Sequence, residues 1–122
     1  MSEKILIVDD EPNILMALEF MMKKGGYSVF IARDGSEALE IIKTEAPKVI
    51  VLDIMMPEVD GYEVCRFVKD HDTLHNTKVI FLSAKTKEEE IAKGYSVGAD
   101  LYMTKPFSNR NLMEEVKRLI TE

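Results

Sequence analysis

Ile5-Leu6-Ile7-Val8-Asp9-Asp10 is a short run, apolar on both faces of an extended chain, that stops abruptly at two carboxylates. Val49-Ile50-Val51-Leu52-Asp53 repeats the pattern. Runs this short, without alternation and rich in β-branched residues, read as buried parallel strands. The acids then stand at strand C-terminal ends, the edge at which open α/β sheets bind ligands. Three carboxylates gathered there repel one another unless a cation neutralises them, so they point to a divalent cation and phosphate chemistry.

Around these runs the hydrophobic period changes. Glu11-Pro12 places a proline in a helical first turn, and Ile14, Ala17, Leu18 and Met21 recur at helical spacing up to Gly25-Gly26. Tyr27 to Ala32 reads as the second strand. Asp34 with Glu37 forms a capping pair for a helix whose Ala38, Leu39, Ile41 and Ile42 face inward and which Pro47 ends. Lys48 to Leu52 is the third strand, Ile54-Met55-Met56-Pro57 a loop, and Asp60-Gly61-Tyr62-Glu63 opens a helix carrying Val64, Phe67 and Val68. A polar stretch from Asp70 to Thr77 leads into the fourth strand, Lys78 to Leu82. Thr86 with Glu89 reads as the cap of a weaker helix ending near Gly94 or Gly98. A polar fifth strand follows from Ala99 to Met103, and Ser108 caps a last helix with Leu112, Val116, Leu119 and Ile120. Five strand-helix units in strict alternation predict one α/β domain, a doubly wound parallel sheet with helices on both faces joined by right-handed crossovers.

The chain has 122 residues, enough for one self-sufficient core. Its net charge of -6 gives no electrostatic support to direct nucleic-acid binding and opposes an anionic membrane. Cys65 is the single cysteine, and Met1-Ser2-Glu3-Lys4 lacks the apolar stretch of a signal peptide, so a soluble cytoplasmic protein is expected. Cys65 reads as a packing or surface residue, and His71 and His75 as solvated.

If strands one, three, four and five are neighbours, their ends bring Asp9, Asp10, Asp53, Ser83 and Lys105 to one edge. Mg²⁺ suits a partial carboxylate set that leaves room for waters and a phosphate, with Mn²⁺ as the alternative ion. Lys105 supplies a cation and the Ser83 hydroxyl a donor to a bound oxyanion.

Asp9-Asp10-Glu11-Pro12, Asp53-Ile54-Met55-Met56-Pro57, Asp60-Gly61, Ser83-Ala84-Lys85 and Lys105-Pro106-Phe107 together resemble the motifs of response-regulator receiver domains of two-component signalling, the CheY-like superfamily. The resemblance covers essentially the whole chain. It implies the flavodoxin-like (βα)5 fold with strand order 2-1-3-4-5, a single receiver domain over residues 1–122 with no output domain in the chain, and a cis Lys105-Pro106 bond. The chain stops with its fifth helix, which fits a single-domain protein or the first domain of a longer one.

The resemblance also implies a division of labour. Asp53 is the phosphoacceptor, served by a sensor histidine kinase or a histidine phosphotransfer protein. Asp10 binds Mg²⁺ directly, Asp9 directly or through water, Asp53 joins them, and the Met55 backbone carbonyl completes the protein ligands. Lys105 pairs with the phosphoryl oxygens and Ser83 hydrogen-bonds one of them. Ser83 and Tyr102 form a switch pair whose rearrangement shifts a face built from the fourth helix, fifth strand and fifth helix toward a downstream protein target or a missing output domain. Leu15, Met16 and Pro106 are the kinase-docking residues, the first two because the first helix is more apolar than one buried stripe requires.

Two departures refine the expectation. Positions that pair charges across an activated dimer in many DNA-binding members are Ile91 and Leu101 here, which predicts a monomer or weak dimer and a more apolar output contact. The positions two residues after Asp53 and Ser83 are Met55 and Lys85, neither able to orient an attacking water, which predicts slow self-dephosphorylation. The competing readings are an aspartyl-nucleophile phosphatase or phosphotransferase, disfavoured by Met55 where such enzymes carry a further acid, and a receiver-like scaffold that needs no phosphate. A nucleotide- or flavin-binding module is disfavoured by the acidic, glycine-free first strand-helix turn. A regulatory phosphoacceptor rather than an enzyme is therefore expected.

Overall fold

The computed structural model describes residues 2–56 and 58–122; Met1, and Pro57 of the loop motif, lie outside the described residues. Five strands alternate with five helices: β1 Lys4–Val8, α1 Pro12–Lys24, β2 Ser28–Ala32, α2 Gly35–Glu45, β3 Val49–Asp53, α3 Gly61–Asp70, β4 Lys78–Ser83, α4 Glu88–Ser96, β5 Leu101–Thr104 and α5 Asn109–Thr121. All neighbouring strands are parallel and the order is 2-1-3-4-5, the flavodoxin-like arrangement.

Side chains alternate across the strands and feed two cores. Leu6, Val8, Ile50, Leu52, Val79 and Phe81 pack with Ala38 and Ile42 of α2, Val64, Cys65 and Val68 of α3, and Tyr102 of β5. Ile5, Ile7, Val49, Val51, Ile80 and Leu82 face the other way, onto Leu15, Leu18 and Met22 of α1 and Leu112, Val116 and Leu119 of α5. The unbroken apolar runs of β1 and β3 follow from this, because both faces of each strand are covered.

Three sequence-predicted caps form. Asp34 accepts from the Glu37 N–H at 2.8 Å, Asp60 from the Glu63 N–H at 3.0 Å and Ser108 from the Asn111 N–H at 3.2 Å. The fourth does not: α4 begins at Glu88 with Lys87 as its N-cap residue and no side-chain cap, so the Thr86–Glu89 reading is corrected. Three glutamates in its first turn offset the helix dipole instead. β5 begins at Leu101, two residues later than expected, because Ala99 and Asp100 complete the turn out of α4.

The buried stripe of α1 is also corrected. Leu15, Leu18 and Met22 face the sheet, whereas Ala17 is exposed and Ile14 and Met21 are half-buried. Leu15 is only 3% exposed, so it is a core residue and not available for docking. The outward face carries Met16, 68% exposed, and Phe20, 70% exposed. Cys65 is buried, its thiol 3.4 Å from the Val97 carbonyl and pushed up to about 12 by burial, in keeping with a packing role.

Candidate functional site

β1, β3, β4 and β5 end along one edge, and their last residues or the loops after them carry the candidate side chains. The Asp9 carboxylate is buried; its Oδ1 accepts from the Glu11 N–H at 2.9 Å, and its Oδ2 from Lys105 Nζ at 3.1 Å. Lys105 Nζ also lies 3.9 Å from Asp53 Oδ1 and 3.8 Å from Glu11 Oε1. Asp10 is exposed, yet ligand oxygens of Asp9, Asp10 and Asp53 all lie within 4.8 Å of one another. The glycine at position 61 permits this closeness of loop and strand: a β-carbon there would lie 2.6 Å from the Asp53 carbonyl oxygen.

Burial pushes the Asp53 carboxyl up from 3.8 to about 6. Lys105 and a hydrogen bond from the Met55 backbone oppose the rise, and the charges of Asp9 and Asp10 add to it. Lys105 responds in the complementary sense. Burial alone would depress its ammonium, but Asp53, Asp9 and Glu11 more than offset that and hold it above its ordinary range. One lysine set among four carboxylates leaves an excess of negative charge. A hard, oxygen-seeking dication fits such a donor set, and Asp9, Asp10 and Asp53 are the residues that fit it.

The family described as response regulator receiver domain matches residues 5–117. The chain belongs to that family. It is 42% identical over 120 residues to the alkaline phosphatase synthesis transcriptional regulatory protein PhoP of Bacillus subtilis (strain 168), covering 98% of this chain and 49% of PhoP, so it spans about half the length of that relative. The BeF3-activated receiver domain of DrrB, an OmpR/PhoB homologue of Thermotoga maritima, superimposes with a TM-score of 0.92 at 38% identity, covering 100% of both chains. The chemotaxis response regulator CheY4 of Vibrio cholerae gives 0.90 at 30% identity, covering 98% of this chain and 99% of that one.

The protein is thus a receiver domain of two-component signalling. Receiver domains bind Mg²⁺ at an acidic pocket, and Asp9, Asp10 and Asp53 form one here. Among the described residues, no helix is long and apolar enough to cross a membrane.

The sequence-predicted site residues fall into two groups in this receiver. Asp9, Asp10, Asp53 and Lys105 converge directly. Ser83 is buried at the end of β4, and its Oγ accepts from the Lys85 N–H at 3.1 Å. Tyr102 is buried too, its ring edge-on to Phe81 at 6.2 Å and its hydroxyl donating to the Lys85 carbonyl at 2.9 Å. The Met55 side chain is 60% exposed on the loop after β3. The Lys105-Pro106 peptide is cis and Pro106 is exposed. His71 and His75 lie away from the site, exposed in the turn after α3, with ring nitrogens near the Thr73 N–H and the Asp72 carbonyl.

Two residues take places the sequence does not assign them. Glu11, which the sequence marks as part of the first acidic motif and as the residue before a helical proline, also reaches Lys105. Phe20 and Met22 compete in the sequence for a wider core stripe on α1; Met22 is buried and Phe20 is exposed.

Proposed function

We propose that this receiver accepts a phosphoryl group on Asp53 from a phosphohistidine of a sensor histidine kinase or a histidine phosphotransfer protein. Mg²⁺, or Mn²⁺ in its place, would be held by Asp9, Asp10, Asp53 and the Met55 backbone carbonyl. The observation that carries this reading is the convergence of three carboxylates within 4.8 Å beside one lysine, at the strand-end edge of a receiver sheet. When bound, the cation supplies positive charge to the transferring oxygens.

The chain's own groups do the rest. A carboxylate displaced upward to about 6 is still mostly ionised at neutral pH, so Asp53 is a competent nucleophile. One of its oxygens bonds to phosphorus as the donor's P–N bond breaks, and the electron pair leaves with the imidazole nitrogen. Lys105 pairs with the phosphoryl oxygens and the Ser83 hydroxyl donates to one of them. Transfer through a loose transition state asks for in-line placement and charge neutralisation, which such a set provides.

Recruitment of Ser83 would remove the acceptor now used by the Lys85 N–H, and Tyr102 sits against the same residue. This supports Ser83 and Tyr102 as the switch pair and α4, β5 and α5 as the output face. Ile91 and Leu101 are half-buried on these elements, which favours an apolar contact with a downstream protein or an output domain over direct binding to nucleic acid or membrane. We place the domain in the cytoplasm, as a monomer or weak dimer, acting as a regulatory phosphoacceptor rather than an enzyme over residues 1–122.

Incubation with Mg²⁺ and acetyl phosphate, followed by intact mass and peptide mapping, tests this. One added phosphoryl group that maps to Asp53 and is lost in Asp53→Asn is expected. No modification would overturn the reading in favour of a scaffold, and rapid multiple turnover would overturn it in favour of a phosphatase.

A further inference from the structure

Residue 102 meets helix α4 at two places and the loop before it at a third. The Tyr102 ring lies against Gly94, where a β-carbon would come within 2.8 Å of Tyr102 Cδ2 and 3.2 Å of Phe81 Cδ2, so the helix backbone packs directly on both rings. The Tyr102 hydroxyl donates to the Lys85 carbonyl at 2.9 Å, ahead of the helix. The Tyr102 backbone N–H donates to the Tyr95 hydroxyl at 3.1 Å, in the last turn of the helix.

The two hydrogen bonds differ in kind. The bond to Lys85 is made by a side chain and is lost whenever the ring rotates away. The bond to Tyr95 is made by the main chain, which the pairing of Tyr102 with Phe81 holds in β5, so no rotamer change disturbs it. β5 is an edge strand, and a main-chain donor there that β4 does not take has only water or a side chain to satisfy it. Tyr95 is 45% exposed, and its hydroxyl nonetheless covers that donor.

We infer that Tyr95 is a positioning residue that hinges the C-terminal end of α4 to the edge of β5. The Tyr102 hydroxyl ties the loop before α4 to the same residue of β5, and Glu90, which accepts from the Tyr62 hydroxyl at 3.4 Å, holds the N-terminal half of the helix separately. The two ends of α4 are therefore secured by different groups, and Tyr95 fixes the C-terminal one. As part of an output face this rests on the proposed function, but the hinge itself is testable without any phosphodonor.

Amide hydrogen exchange and ¹⁵N chemical shifts of the full chain, with Tyr95→Phe and Tyr102→Phe, read the two tethers separately. Each variant keeps its ring and loses one hydroxyl; a melting curve for each checks folding. Tyr95→Phe is expected to speed exchange of the residue-102 amide about tenfold, the loss of one protecting hydrogen bond of about 1.4 kcal/mol, and to perturb Gly94–Ser96. Tyr102→Phe is expected to perturb residues 85–91 and leave Gly94–Ser96 unchanged. An unchanged residue-102 amide in Tyr95→Phe, or equal loosening of both ends of α4 in Tyr102→Phe, would overturn the hinge. Mg²⁺ with beryllofluoride, added to the wild-type chain, then distinguishes the readings. Shifts at Ser83 and Met55 that fail to appear count against the phosphoacceptor function, whereas the two hydroxyl variants decide the hinge whatever that outcome.

Discussion

The Lys105 ammonium is bonded to Asp9, at 3.1 Å, rather than to Asp53, whose nearest oxygen lies 3.9 Å away. Asp9 is the more buried acid of the two, so the lysine neutralises the carboxylate that has least access to water. It also limits the repulsion among Asp9, Asp10 and Asp53. Lys105→Ala is therefore expected to destabilise the metal-free domain by about 1–3 kcal/mol at pH 7.5, as removal of one partner leaves a buried charge uncompensated. Millimolar Mg²⁺ should restore most of that loss. Urea denaturation of both proteins with and without Mg²⁺ measures it; a loss insensitive to Mg²⁺ would show that Lys105 acts through packing.

Asp53 gives the opposite sign. Its folded-state value of about 6 lies above the 3.8 of the unfolded chain, so the native state binds the proton more tightly. That favours folding fully below pH 3.8 and is lost as the pH rises through 6. Above that point the ionised Asp53 strains the site. Asp53→Asn should then stabilise the metal-free domain by about 1–3 kcal/mol at pH 7.5, with the advantage over wild type shrinking toward pH 4. Thermal denaturation across that range, in the absence of divalent ions, checks both the sign and the window.

Much of this site was legible because its chemistry sits at places the sequence marks clearly. A run of four or five residues, apolar on both faces and rich in β-branched side chains, reads as an interior parallel strand, and the carboxylate that ends it then emerges at the sheet edge; Asp9 and Asp53 follow from that. α1 was harder, since Ile14, Leu15, Met16, Leu18, Phe20, Met21 and Met22 allow more than one buried stripe. Only packing against Ile5, Ile7, Leu112 and Val116 selects Leu15, Leu18 and Met22. The Tyr95 contact was not legible at all. A hydroxyl meeting the backbone of an edge strand seven residues on leaves no periodic trace, and the start of β5 was itself misplaced by two residues.

The corrected phase of α1 separates docking from stability. Met16→Ser and Phe20→Ser remove exposed apolar surface and should leave the melting temperature within a few degrees of wild type, while slowing phosphotransfer from the cognate kinase about tenfold or more. Acetyl phosphate, which needs no docking surface, should modify both variants at the wild-type rate. Leu15→Ser should instead cost about 2–4 kcal/mol of stability, since it buries a hydroxyl and opens a cavity in the core. Wild-type phosphotransfer to Phe20→Ser and Met16→Ser would remove α1 from the kinase contact.

Met55 is the residue expected to set how long a phosphoryl group on Asp53 survives. Its side chain is exposed and offers no group to orient water, and Lys85, the corresponding residue after Ser83, is drawn toward Glu90 at 3.5 Å. Slow self-dephosphorylation is expected, and Met55→Asn should shorten the lifetime several-fold by supplying an amide that positions the attacking water. The backbone carbonyl and N–H of residue 55 are unchanged by the substitution, so a shorter lifetime without a loss of Mg²⁺ affinity would isolate the side-chain effect. Time courses of phosphoprotein decay after removal of the donor measure it.

Asp100 bears on the oligomeric state. One of its oxygens accepts from Lys69 Nζ and from the Val79 N–H, both at 2.8 Å, and Lys69 also donates to the Thr77 carbonyl. The carboxylate is therefore committed within the domain, where it closes the turn between α4 and β5 onto the start of β4. Its neighbour Leu101 carries no charge, and Ile91 of α4 carries none either. An activated dimer held by charge pairs across these positions has no acid to use. Sedimentation of the phosphorylated domain should give a monomer or weak dimer whose association is nearly independent of salt, because apolar contacts are not screened. Lys69→Met should lower stability by about 1–3 kcal/mol by leaving Asp100 with one donor, yet leave sedimentation unchanged. A tight, salt-sensitive dimer abolished by Asp100→Asn would show that the carboxylate can leave Lys69 for a second copy of the chain.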